Sequence, residues 1–170
     1  MGPGAHRHRC RCADNGRRDG DNSLFWRSEA MKEGIQTFLS EAGEAACYAL
    51  SIMKIAEKIT GKSRPVVETL IDCIERKYIY FNWVDPNDNE NMFVLLPDEM
   101  LSYLSGTSCR VSKEPSGYKA KAEEWVVERW ERVRVGSTTG HFKLPDWDSL
   151  VNSQTVKYGK IASLRVFRKR

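Results

Sequence analysis

The sequence predicts an α+β fold, with helices first and an antiparallel sheet after them. Three observations carry that expectation. Between residues 44 and 74, apolar side chains recur at helical spacing. From Ser108 onward the pattern changes to strands, punctuated by turn signals at Pro115-Ser116-Gly117, Gly136 to Gly140 and Tyr158-Gly159. The chain has 170 residues, 41% hydrophobic and 29% charged, which suits one core with a solvated surface.

Composition narrows the function classes. The net charge of +4 and pI of about 8.8 are too weak a signal for nucleic acid. The basic residues also do not form a helix face interleaved with aromatics. No apolar run approaches the roughly 18 residues a membrane span needs. The start is basic and polar, so no signal peptide is expected. Five cysteines without regular spacing argue against a disulfide framework and for a reducing, cytoplasmic setting.

Residues 1–30 are poor in apolar side chains and rich in Gly, Arg and Asp. They read as a disordered basic tail or an upstream extension before Met31, with a single domain over 31–170. His6, His8, Cys10 and Cys12 lie in that tail. Their alternation lacks the spaced second pair of known zinc sites, so neither a metal nor another cofactor is expected.

Gly34 to Ser40 forms a short lead-in. A long amphipathic helix then opens near Gly43 or Glu44, or as early as Ser40, and runs to about Gly61. On a helical wheel, Tyr48, Ile52, Ile55, Ala56 and Ile59 gather on one face. Cys47, Ser51, Lys54 and Lys58 gather on the other. A cysteine on a polar stripe is unusual, because cysteine is among the most buried residue types.

Pro65 opens a second helix, with Val67, Leu70, Ile71 and Ile74 at core-facing spacing and Cys73 as a packing residue. Tyr78 to Trp83 reads as a strand. Asp85 to Asn91 is a polar turn that lacks the glycine and terminal glutamate of a calcium loop. Pro97 opens a short helix with Met100, Leu101 and Leu104 inward, ended by Gly106. Cys109 to Lys113 is a short strand. Residues 120–135 carry both helix and strand signals. The β-branched content favours a strand from about Trp125 to Val135. Gly136 to Gly140 reads as a hairpin loop, His141 to Leu144 as the next strand and Ile161 to Phe167 as the last.

One constellation could carry chemistry. A thiol hydrolase needs an ionisable thiol, a base to hold its proton and donors for the oxyanion. A helix N-terminus favours the thiolate, so Cys47 qualifies if its helix starts near Gly43 or Glu44. His141 is the only histidine outside the tail. Asp146 and Asp148 follow it, and either could orient its ring. Gln36 could supply an amide to the oxyanion.

A Gln, then a Cys-Tyr pair at the head of a helix, then a distant His-Phe strand and an Asp-containing loop resembles the papain-like cysteine peptidases and amidases. Within them it is similar to a poorly characterised phage-encoded family. The resemblance runs from about Gly34 to the C-terminus in order of elements. It implies a papain-like fold with N-terminal helices packed on an antiparallel sheet. It also implies Cys47 as nucleophile, His141 as base, Asp148 or Asp146 as orienter and Gln36 as oxyanion donor. The chain lacks the Cys-Gly-Pro signature of many such enzymes, and Gln36 lies further before the cysteine than the family spacing.

The sequence therefore predicts a thiol hydrolase acting on a peptide, isopeptide or amide bond, cytoplasmic or, as the resemblance implies, phage-encoded and virion-associated. The competing expectation is a non-enzymatic phage or bacterial accessory or binding protein on the same fold.

Overall fold

The computed structural model describes residues 29, 31–35, 46–81 and 92–170. The expectations for residues 1–28, for Gln36, for a helix start at 43–45, and for Trp83 and the polar turn at 85–91 lie outside them.

Residues 31–35 are helical, and Ile35 is fully buried. Helix α1 spans Cys47–Thr60. Ala49, Ile52, Ile55 and Ala56 are its buried apolar side chains, spaced 3, 3 and 1 residues apart. It stops at Gly61, whose φ of 69° is left-handed and whose N–H donates back to Glu57 O at 2.7 Å. Helix α2, Val66–Glu75, begins directly after Pro65, where the fixed φ and missing N–H cost nothing. Strands β1 (Ile79–Phe81) and β2 (Met92–Val94) pair antiparallel. Helix α3, Pro97–Ser105, buries Met100, Leu101 and Leu104 and ends at Gly106 with φ 67°.

The second sheet is formed by β3 (Cys109–Pro115), β4 (Trp125–Arg134), β5 (Ser137–Lys143) and β6 (Lys160–Lys169). Its order is β3-β6-β4-β5 and every pairing is antiparallel. The α+β class is therefore the observed one. Alternation along the strands sends Val111, Phe167, Trp125, Val127 and Phe142 to one face, where they join the core formed with the helices.

The structure departs from the expected elements in three places. The hairpin loop is not Gly136–Gly140 but the two-residue turn Val135-Gly136, with Arg134 paired to Ser137. Gly136 takes the left-handed φ of 80°, and the β-branched Thr138 and Thr139 extend the strand toward it. Strand β2 was not expected. Helix α4, Gln154–Tyr158, was not expected either, because five residues are too short to show a helical period. Ser153 caps it by accepting from Val156 N at 3.4 Å. Gly159 then lets the chain pass: a Cβ there would lie 2.2 Å from Thr155 O and 2.5 Å from Glu131 O.

β5 is an edge strand, and α1 lies along it. Phe142 directs its N–H and its carbonyl away from β4 and toward α1. The helix thereby covers an edge that would otherwise present unpaired backbone groups.

Candidate active site

The stripe Cys47-Ser51-Lys54-Lys58 that reads as polar in the sequence is the seam between α1 and the β5 segment. Phe142 N donates to Cys47 Sγ at 3.1 Å. Ser51 Oγ donates to Cys47 O at 2.7 Å and reaches Phe142 O at 3.5 Å. Lys54 Nζ stands 6.0 Å from the Trp147 ring centroid, and Lys58 Nζ bonds Asp146 at 2.7 and 2.5 Å. Cys47 and Ser51 are buried, at 2% and 0% exposure, rather than solvated. The wheel places the stripe correctly, but a sheet edge with outward polar groups covers its first half.

Cys47 is the first residue of α1. Ala46 precedes it with no side-chain cap, and the first turn holds no acidic residue. The sulfur therefore sits where the helix dipole is positive and no carboxylate of the first turn opposes it. Tyr48 follows, its ring stacked on Phe142 at 4.4 Å between centroids. That stack fixes the helix start against β5. Burial pushes the Tyr48 phenol well up, and its hydroxyl has no hydrogen-bond partner among the described residues.

His141 precedes Phe142 on β5 and is fully buried. Its Nε2 lies 2.7 Å from Asp148 Oδ1. A carboxylate can only accept, so Nε2 carries the proton in this pair. Asp148 is itself held by Leu150 N, which donates to the same oxygen at 3.0 Å. The other ring nitrogen, Nδ1, is buried and has no hydrogen-bond partner among the described residues. An unmatched buried ring nitrogen costs about 1–3 kcal/mol, so it calls for an explanation.

The structure thus brings Cys47, His141 and Asp148 to one place. The sulfur touches the peptide joining His141 to Phe142, which sets it within about 6 Å of the His141 Cα. Asp146 is not part of this cluster. It is exposed and paired to Lys58, whose ammonium holds its carboxyl below the usual range. Only Trp147 separates the aspartates, but Leu144 and Trp147 pair backbone to backbone, at 2.9 and 3.3 Å, so that Asp146 lies inside the turn and Asp148 beyond it. That tight turn sends Asp146 outward and brings Asp148 back toward β5.

The other described cysteines differ in kind. Cys73 is buried on α2, and desolvation pushes its thiol up to about 12. Cys109 is buried at the start of β3 with its sulfur 3.2 Å from Thr107 O, and burial raises it too.

Beside Cys47 opens a groove of about 630 Å³. Cys47 and Tyr48 form one wall and β2 another, and Lys113, Arg129, Arg165 and Phe142 form its floor. These three cations are absent from the sequence-based site. Their signal was available: Arg129 and Arg165 occupy the parity of β4 and β6 that otherwise carries Val127 and Phe167 into the core. The Phe142 N–H was not legible, because backbone direction depends on strand pairing.

Among the described residues, no helix is long and apolar enough to cross a membrane, and no group of His, Cys, Asp and Glu could hold a metal ion. Compared with family models, with curated proteins and with solved structures, the chain matches none.

Proposed function

We propose that the chain is a papain-like thiol hydrolase that cleaves a peptide, isopeptide or amide bond. The observation that carries this reading is the division of labour on one imidazole. Nε2 is tied to Asp148, Nδ1 is left with an unused lone pair, and a helix-terminal cysteine packs against the next peptide. An Nε2–H tautomer makes Nδ1 the basic nitrogen, which is what deprotonation of a thiol requires.

In this reading Nδ1 takes the proton of Cys47. The thiolate is stabilised by the imidazolium, by the positive end of α1 and by the Phe142 N–H. Attack on the carbonyl forms a C–S bond. Collapse of the intermediate breaks the C–N bond, and the imidazolium gives its proton to the departing amine. Water, deprotonated by Nδ1, then cleaves the thioester and restores the thiol. Asp148 orients the ring and offsets its charge. Gln36 is the oxyanion donor that the family resemblance suggests.

The second reading is a binding or accessory module on the same fold. The near-complete burial of Cys47 and His141 favours it, as does the absence of Cys-Gly-Pro. An activated ester separates the two. With p-nitrophenyl acetate, the hydrolase reading expects a burst of p-nitrophenolate equal to the protein and a thioester on Cys47 by mass. No burst, or the same burst in Cys47→Ala, would leave the binding module standing.

A further inference from the structure

We propose that the groove beside Cys47 selects substrates carrying a carboxylate next to the bond attacked. This rests on the thiol-hydrolase reading and adds a substrate class to it. The floor holds Lys113, Arg129 and Arg165, and none of the described residues lining the groove is an Asp or Glu. Register makes this floor one surface. Lys113 and Val127 both pair with Arg165 across β6, and Arg129 pairs with Phe142. All five side chains therefore share a face.

Among the described residues, these charges are only partly balanced. Arg129 has a carboxylate partner, Glu131 at 2.8 Å. Among the described residues, Arg165 donates only to Ser163 Oγ at 3.2 Å and Leu164 O at 3.4 Å, both neutral acceptors. Its guanidinium and that of Arg129 flank the Phe142 ring, at 5.8 and 6.0 Å from the centroid. Two guanidiniums over one ring repel each other, and an anion between them removes that repulsion. Cys47 lines the same groove and accepts from the Phe142 backbone N–H, so an anion held by these guanidiniums shares the groove with the nucleophile. Side-chain and terminal carboxylates share the required chemistry.

The test uses the full chain and four short blocked peptides, followed by the amide signals of Gly140, Phe142 and Arg165. Acetyl-Ala-Glu-Ala-amide is compared with its Gln counterpart, and acetyl-Ala-Ala-Ala as free acid with its amide. At low salt the acid of at least one pair should bind about tenfold tighter. The advantage should shrink at high ionic strength and in Arg165→Gln. A gain confined to the first pair assigns a side-chain carboxylate, and a gain confined to the second assigns a terminal one. Equal binding within both pairs, or binding of none, overturns the proposal. A second arm separates it from the thiol reading. Iodoacetate should gain on iodoacetamide at Cys47 relative to the same chain unfolded in urea. If neither reagent labels Cys47, the thiol reading fails while the peptide arm still decides the groove. An unchanged ratio with good labelling counts against the groove alone.

Discussion

Two polar clusters are built onto the same sheet, and they are finished differently. In the first, Arg168 binds Glu124 at 2.6 Å, Tyr118 at 3.0 Å, Glu114 at 3.3 Å and the Ser112 hydroxyl. Tyr118 donates to Glu124 at 2.9 Å, and Lys121 N donates to it at the same distance. The hydrogen-bond donors and acceptors are turned inward on one another. In the second, His141 and Asp148 make one bond of 2.7 Å and Nδ1 has no partner among the described residues. A saturated network ties β3 to β6 and to the chain before β4. An unsaturated one costs stability, which the proposed hydrolase reading accounts for by a basic atom kept available. On the proposed reading, the contrast separates a structural cluster from a chemical one more sharply than residue types do.

The largest break in that contrast should come at His141. His141→Asn should lower the alkylation rate of Cys47 at pH 6 by about 10²-fold. Circular dichroism on the same sample checks that the fold persists, and an unchanged rate would detach the imidazole from the thiol. Next in size is a lesion of the scaffold. Gly159→Ala forces a Cβ onto the Thr155 and Glu131 carbonyls, and should cost about 2 kcal/mol in urea unfolding. Full stability in that variant would contradict the close approach of α4 to β4.

Asp148→Asn should slow alkylation by about tenfold, because an amide can turn its donor to the ring and reverse the tautomer. Asp146→Asn should leave it unchanged, and equal effects would erase the distinction between the two aspartates. The saturated cluster should answer to acid instead. The Lys121 N–H, with Arg168 and Tyr118, holds the Glu124 carboxyl down to about 2, against an ordinary value of 4.5. Its stabilisation is complete above pH 4.5 and is lost as pH falls toward 2. Glu124→Gln should therefore flatten the loss of stability in that window while leaving alkylation of Cys47 alone. The smallest effect belongs to Lys58→Ala. It removes an exposed pair and should change stability by less than about 1 kcal/mol.

Much of the scaffold was legible in the sequence, for identifiable reasons. Pro65, Pro97, Gly61 and Gly106 punctuate the helices through backbone rules that act locally. The strand over Trp125–Arg134 follows from β-branched and aromatic content against a competing helical signal. Local rules do not give partners. The stripe of Cys47 and Ser51 reads as solvated because nothing in α1 announces the edge of β5. Asp146 and Asp148 look equivalent until the turn at Leu144–Trp147 separates them. The cationic floor spans β3, β4 and β6, so it exists only once their register is set. Oddity of placement was the readable signal: a cysteine off the apolar face, and arginines on the inward parity of strands.

The central claim is that Cys47 and His141 form a thiolate–imidazolium pair, and pH-dependent alkylation tests it most directly. The native chain is treated with iodoacetamide between pH 5 and 9, and each cysteine is mapped by mass spectrometry. The account predicts labelling of Cys47 below pH 7, silence of Cys73 and Cys109, and loss of the low-pH reaction in His141→Asn. Slow and equal labelling of Cys47, Cys73 and Cys109, rising only above pH 8, would contradict it.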